Sequence, residues 1–291
     1  MSKKYEVKAA VRRRFEFIEF SLLWERSIGR KGLKDQFEMS LQQATKDLNL
    51  YSEICPENMR YDPRMKTYVP SSNFRPVFIN GEASEYLLQL EMQLLGYREA
   101  EETWITTPVN ADAVKIKTRD VRRVALNAIL KAIHTQTPVR VKYVSLNSGA
   151  TPDRHLMPHA LATDGHRWHM RAYDVDKDRH SDFVLSRIES VTPCEMEIEK
   201  VPKDNSWHTK VPLILESDPR LGKDQKAALE AEYSMKNGCL ALRVRQSMLF
   251  YYLRNYGFNP KPIGENRMLN ESSLNLYVRN IEEVEECLQR R

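Results

Sequence analysis

Ser40-Leu41-Gln42-Gln43-Ala44-Thr45-Lys46-Asp47-Leu48-Asn49-Leu50-Tyr51, followed at Asn58 by Asn-Met-Arg-Tyr-Asp-Pro-Arg-Met-Lys-Thr-Tyr-Val-Pro70, is the stretch on which the fold turns. Ser40 has the side chain of an N-cap. Leu41, Ala44, Leu48 and Tyr51 then recur at helical spacing, predicting a helix through residue 52. Its other face carries Gln42, Gln43, Thr45, Lys46 and Asn49. The second run predicts two short strands around an Asp62-Pro63 turn, with Arg64 and Lys66 at the tip.

Upstream, Val11, Phe15, Ile18 and Leu22 are spaced by three to four, and Phe17 and Phe20 widen the stripe, predicting an amphipathic helix from Lys8 to Trp24. Gly29 and Gly32 punctuate the chain before a short helix over Leu33–Phe37. Helix, short helix, turn, helix and hairpin make a winged helix-turn-helix, expected over 1–78, whose second paired helix enters the major groove. Gln and Asn can pair with adenine edges, Lys with guanine or phosphate. The expected DNA-binding residues are therefore Ser40, Gln42, Gln43, Thr45, Lys46 and Asn49 on the helix, with Arg64 and Lys66 holding phosphates from the wing.

Charge supports that reading. The 291-residue chain has a net charge of +5, and residues 1–78 carry 15 Lys+Arg against 10 Asp+Glu, so the excess lies in the first segment. No apolar run approaches the ~20 residues of a membrane span. The basic N-terminus is followed by amphipathic sequence and not by a signal core. A cytoplasmic, nucleoid-associated bacterial protein without membrane partners is expected. Cys55, Cys194, Cys239 and Cys287 are far apart, so reduced structural thiols are expected, with no metal site and no cofactor.

Residues 79–135 read as a helical linker, with helices over Glu85–Leu95 and Arg119–His134 and a strand-like Trp104-Ile105. From Pro138 the hydrophobic period becomes two. Strands are expected at Val139–Val144, His155–Leu161, Arg167–Tyr173 and Ser181–Leu185, with turns at Asn147-Ser148-Gly149 and Thr163-Asp164-Gly165, suggesting a small bent antiparallel sheet or barrel over 136–200. Pro202–Ser206 reads as a linker. Beyond it, 207–291 is α+β, with strands at Val211–Leu215 and Gly238–Val244, helices at Lys223–Tyr233 and Ser247–Tyr256, and a closing strand and helix.

Arg167-Trp168-His169-Met170-Arg171-Ala172-Tyr173, preceded by Met157-Pro158-His159-Ala160-Leu161 and followed by Phe183-Val184-Leu185-Ser186-Arg187-Ile188, resembles the core of a WYL domain, with the triplet here reading Trp168-His169-Met170. The resemblance extends to the layout of the chain. It implies a winged helix, a WYL domain of Sm-like barrel fold and a C-terminal α+β extension that helps build a homodimer. The PHAL, DGxRWHxRAY and SRI strings resemble one branch, dimeric repressors of bacterial phage-defence loci of the BREX and CBASS type.

On a strand, His169, Arg171 and Tyr173 share one face and Trp168, Met170 and Ala172 the other. One face is expected to be core, the other polar and basic. Ser145, His159 and Arg187 match polar positions of the WYL ligand pocket. The expected effector-binding set is thus Ser145, His159, His169, Arg171 and Arg187, cationic and without an acid, suited to a nucleotide or nucleic-acid end.

These readings make a transcription regulator, a repressor of a phage-defence operon that binds an inverted repeat as a homodimer and is switched by that anion. The alternative is a single-stranded nucleic-acid or RNA-binding accessory protein without operator specificity. An enzyme is not expected. His155 and His159 form HxxxH, but Pro158 argues against the helix such a pair needs, and no phosphate loop, GxSxG or HExxH is present.

Overall fold

The phenylalanine-rich stripe forms α1 (Ala9–Phe20), continued by a π-helical turn, Ser21–Glu25, that ends where Arg26 takes a left-handed backbone. This computed structural model describes residues 7–99, 102–117, 119–146, 149–150, 153–196, 201–260 and 272–289. The expected turn at Asn147-Ser148 lies outside them. Two compact units, 1–117 and 118–291, divide the chain.

In the first unit, α2 (Arg30–Phe37) starts three residues earlier than expected, with Gly29 extended at its N-cap. In α3 (Leu41–Ile54) the Ser40 hydroxyl accepts from the Gln43 amide at 3.1 Å, the predicted cap. Phe15, Ile18, Leu22, Leu33, Ala44, Leu48 and Tyr51 are fully or almost fully buried in one core. The wing pairs β1 (Met59–Asp62) antiparallel with β2 (Thr67–Pro70). Asp62 Oδ1 accepts from the amides of Arg64 and Met65 and so shapes the tip. Tyr68 also exchanges two 2.9 Å backbone bonds with Ile28, which ties the wing to the turn before α2.

The core contains a charge that periodicity does not foresee. Glu19 is fully buried in α1. Its carboxylate accepts from the backbone amides of Val77, Phe78 and Ile79 at 2.6 to 3.1 Å and from the Tyr51 hydroxyl at 3.0 Å. Tyr51 OH in turn accepts from Asn58 Nδ2 at 2.9 Å. One carboxylate thereby closes the chain leaving the wing back onto α1 and α3.

The segment expected as a linker divides between the units. Helix α4 (Ala83–Leu94) lies in the first, where Tyr86 stacks on Phe20. Trp104-Ile105 is not a strand: Trp104 packs edge-on against Phe17 and Phe20, and its amide donates to Gln89 Oε1. Side-chain anchoring replaces strand pairing there. Helix α5 (Arg123–Thr135) belongs to the second unit and buries Ala125, Ile129 and Ala132 against the sheet.

That sheet comprises β3 (Val139–Ser145), β4 (Gly149–Ala150), β5 (Arg154–Thr163), β6 (Trp168–Asp174), β7 (Arg179–Val184) and β8 (Ile188–Pro193). The order is β4-β3-β5-β6-β7, with β8 also on β3, and all pairs are antiparallel. Register shifts at Lys142/Tyr143 and Pro158/Ala160 bend it. No β7–β8 pairing closes a barrel among the described residues. Beyond the short helix α6 (Asn205–His208), β9 (Lys210–Ser217) is the central strand of a β10-β9-β11 sheet with β10 (Cys239–Arg245) and β11 (Leu276–Val278). Helices α7 (Lys223–Glu232), α8 (Leu249–Asn255) and α9 (Ile281–Gln289) complete the C-terminal α+β part, in which Leu213, Leu215, Leu249 and Leu253 are fully buried.

Truncating Glu19 leaves three amides and a tyrosine hydroxyl without their acceptor, so Glu19→Ala is expected to destabilise the first unit by about 3 kcal/mol or more in denaturant titration. Burial holds the Glu19 carboxyl above its ordinary 4.5, against the three amides that lower it. The folded state therefore keeps the proton to higher pH than the unfolded chain. That contribution is present below pH 4.5 and is lost as pH rises through the folded value. Stability should therefore fall in the wild type as pH is raised above 4.5, and fall less steeply in Glu19→Gln.

Candidate nucleic-acid interface and sensor cluster

Helix α3 is anchored from beneath. Asp47, 2% exposed, takes Nε and Nη2 of Arg14 from α1 at 2.7 and 3.1 Å. The same carboxylate accepts Gln43 Nε2 at 3.1 Å, so Gln43 is oriented by the anchor. Thr45 Oγ1 donates back to the Leu41 carbonyl at 2.9 Å, and Ser40 caps the helix. Gln42, Lys46 and Asn49 stand exposed on its outer face. Arg64 and Lys66 are exposed at the tip of the wing, where Lys66 takes a left-handed backbone. Arg14 and Asp47, which position the reading helix, carry no sequence signal beyond opposite charge.

The residues around β6 are arranged differently from the expectation. Both faces of β6 are covered: Met170 and Ala172 lie in the sheet core, while His169, Arg171 and Tyr173 are buried on the opposite side. Trp168, placed by parity on the core face, is 51% exposed because it begins the strand. The cluster also contains acids. Arg171, 2% exposed, donates from Nε and Nη2 to Asp204 at 2.7 and 3.2 Å and from Nη1 to Asp182 at 3.0 Å. Asp204 lies in the segment read as a linker. It caps α6 through the Trp207 amide at 3.1 Å and accepts the Ser206 hydroxyl at 2.8 Å. Tyr251 OH on α8 donates to Asp182 at 3.0 Å, and its ring lies 4.9 Å from that of His169. Pairing across 11 and 33 residues of sequence leaves no periodicity, so nothing in the pattern points to the acids.

His159 is the extra residue of the β5 bulge, between Pro158 opposite Ala172 and Ala160 opposite Arg171. Its Nε2 lies 3.1 Å from Asp204 Oδ2. His180 on β7 adds a third polar ring, 5.6 Å from that of His159. Burial would raise the Asp204 carboxyl, but His159, Arg171 and Ser206 together hold it well below the usual carboxylate range. Burial holds His180 below the ordinary imidazole range, partly opposed by Asp204. His155 turns instead to Asp176, 3.0 Å away, so the two histidines of HxxxH serve different partners on one strand.

The other expected effector residues come from elsewhere in the sheet, the end of β3 and the turn before β8. Arg187 is half-buried in the 3-10 turn Leu185–Arg187 and, among the described residues, makes no ion pair; Ser145 ends β3 opposite Gly149. Two concavities flank the cluster. One, of about 520 Å³, is lined by His159, His180, Asp204, Lys203, Trp207 and His208 together with apolar Ile133 and Met157. The other, of about 480 Å³, brings Lys210, Arg243 and Arg245 beside Trp207, Tyr251 and Tyr252. There the Arg245 guanidinium lies 4.7 Å above the Trp207 ring. No motif in the sequence points to this basic and aromatic hollow, whose lining comes from the end of β5, α6, β9, β10 and α8.

Helix, short helix, capped helix and wing, followed by a bent antiparallel sheet and an α+β C-terminal part, define a WYL-type transcription regulator. The family models agree along the chain. Residues 10–92 match the BrxR transcriptional regulator winged helix-turn-helix domain, 124–193 the WYL domain, and 210–284 the BrxR transcriptional regulator C-terminal dimerization domain.

The DNA-binding transcriptional repressor CapW of Escherichia coli (strain KTE188) is 34% identical over 251 residues, spanning 83% of this chain and 81% of that protein. CapW of Stenotrophomonas maltophilia is 29% identical over 98% of this chain and 94% of its own length. CapW of Pseudomonas aeruginosa is 28% identical over 95% and 91%. The chain belongs to this family of DNA-binding transcriptional repressors, and its C-terminal part matches a dimerization domain. Proteasome accessory factor B/C of Arthrobacter aurescens aligns at 13% identity with a TM-score of 0.33, covering 97% of this chain and 46% of that one.

Removing the guanidinium strands two buried carboxylates. Arg171→Ala is therefore expected to cost about 3–5 kcal/mol in the second unit, read as a drop in its thermal midpoint and loss of amide protection in β6. Lysine, which cannot bridge both acids with a planar fork, should restore little of it.

Proposed function

We propose that the chain represses a phage-defence operon by binding an inverted-repeat operator as a homodimer, each protomer offering α3 to one half-site. The observation that carries this reading is the outward row of Gln42, Lys46 and Asn49 on a helix whose inner side is held by Arg14 and Asp47. Gln42, Gln43 and Asn49 read base edges, Lys46 reads guanine or holds phosphate, and Ser40 and Thr45 serve the helix start and its nearest phosphates. Arg64 and Lys66 fix the register from the wing. The family's repressors and the C-terminal dimerization match support this assignment over an RNA-binding accessory role.

The input is an anionic effector, a nucleotide or nucleic-acid end, received by the WYL unit. Among Ser145, His159, His169, Arg171 and Arg187, the half-exposed Arg187 meets its charge, and Arg171 holds the site together from inside. Binding must favour one separation of the two reading helices over another, since equal affinity for both shifts nothing. A second reading places the anion in the hollow beneath Tyr252, where Lys210 and Arg243 are exposed beside aromatic rings.

Gel-shift titration on the promoter DNA of the protein's own operon tests the output. Asn49→Ala or Gln42→Ala should weaken the specific complex by about 1–3 kcal/mol and leave random duplex binding nearly unchanged. Lys66→Ala should weaken both and reduce the salt slope by about one. Equal affinity of the wild type for any duplex would remove the operator reading. The input is tested by releasing that complex with short single-stranded oligonucleotides. Loss of release in Arg187→Ala alone supports the first placement, and loss in Arg243→Ala alone supports the second.

A further inference from the structure

We infer that His159, His180 and Asp204 form a binding site for a divalent transition-metal ion of the zinc class. One ring nitrogen of each histidine and a carboxylate oxygen of Asp204 all lie within 4.8 Å of one another, so that small side-chain rotations bring all three onto a single ion. Two imidazoles and one carboxylate are the donor set such ions accept, with further positions open to water or ligand. The donors come from three separate pieces of chain. His159 is turned out of register by the β5 bulge, His180 lies on β7, and Asp204 precedes α6.

The surroundings suit an ion. Asp204 is held in one orientation by Ser206, the Trp207 amide and Arg171, the outer support that metal-binding carboxylates need. Arg171 is the obvious objection, because its charge sits on the same carboxylate. It is shared, however, with the buried carboxylate of Asp182, so the three groups together carry a net charge of −1 that a cation offsets. The site opens into the concavity of about 520 Å³, so an ion has an entry path and room for an exchangeable ligand. A bound ion would fasten the 201–208 segment to β5 and β7 independently of Arg171. This inference does not depend on the identity of the effector.

Untagged full-length protein, freed of metal with EDTA, is titrated with cobalt(II). The expected result is a visible ligand-field absorption that saturates at one equivalent per protomer and is bleached by zinc. His180→Gln and His159→Gln, each shown folded by circular dichroism, should lose affinity by more than the ~10-fold to 100-fold of an outer-sphere change. Pulsed electron paramagnetic resonance on the copper(II)-loaded wild type, which needs no variant to fold, should show two imidazole nitrogens. Failure to take up one equivalent, unchanged affinity in both folded variants, or fewer than two imidazoles overturns the assignment. Intense thiolate charge-transfer bands would place the ion on a cysteine and overturn it equally.

Discussion

The second unit depends on one buried guanidinium. Arg171 is the only cation that bridges Asp182 on β7 and Asp204 before α6 among the described residues, and Tyr251 of α8 completes the array through Asp182. A sheet strand, its neighbour, the connection to the C-terminal part and a C-terminal helix thus meet at one side chain. Hydrophobic burial alone would leave their relation loose, because apolar contact is non-directional. Directional ion pairs fix it. The desolvation cost of burying three charges is several kcal/mol per ion before pairing, so this arrangement is better understood as specifying one geometry than as adding net stability.

The DNA-binding unit uses the same device with the sign reversed. Glu19 is a buried anion that gathers the amides of three successive residues, and Tyr51 links it to Asn58 at the base of the wing. Asp47 repeats the theme, joining α1 to α3 through Arg14. Glu19 and Asp204 act on junctions, whereas Arg14 and Asp47 join the middles of two helices. Junctions lack the repeating hydrogen bonds that stabilise helices and ladders, so polar side chains must satisfy their backbone groups.

That division explains what was legible in the sequence. Helices α1 and α3 and strands β3 and β5 follow from spacing, because the solvent boundary imposes a period on each of them; the wing follows from its Asp62-Pro63 turn, and β6 from the alternation of its residue types. The Ser40 cap is local and was readable for the same reason. Trp104 was misread as part of a strand because an aromatic-aliphatic pair fits either a strand or an anchor, and only the partners Phe17 and Phe20 decide. In the sensor cluster, His159, His169 and Arg171 stood out by residue type. Asp182 and Asp204 did not, because an aspartate in a turn-rich stretch has a solvated alternative that no one-dimensional pattern excludes. The alternation along β6 separates a polar face from an apolar one, but it does not show that the polar face is itself covered, because Ser206 and Tyr251, which lie against Arg171 and His169, are distant in sequence.

The covered face has a consequence for ligand chemistry. A guanidinium bonded to two carboxylates presents little net positive potential, so an anion would gain little from Arg171 unless it displaced Asp204 or Asp182. Displacing Asp204 would also uncap α6 and free the residues just before β9, the central strand of the C-terminal sheet. A ligand that competes for this guanidinium is therefore felt at the start of the C-terminal part. One that binds only the exposed cations Lys210 and Arg243 can add affinity without breaking any of these bonds. The difference between the two is the difference between a switch and a tether, and it rests on whether Asp204 keeps its partner.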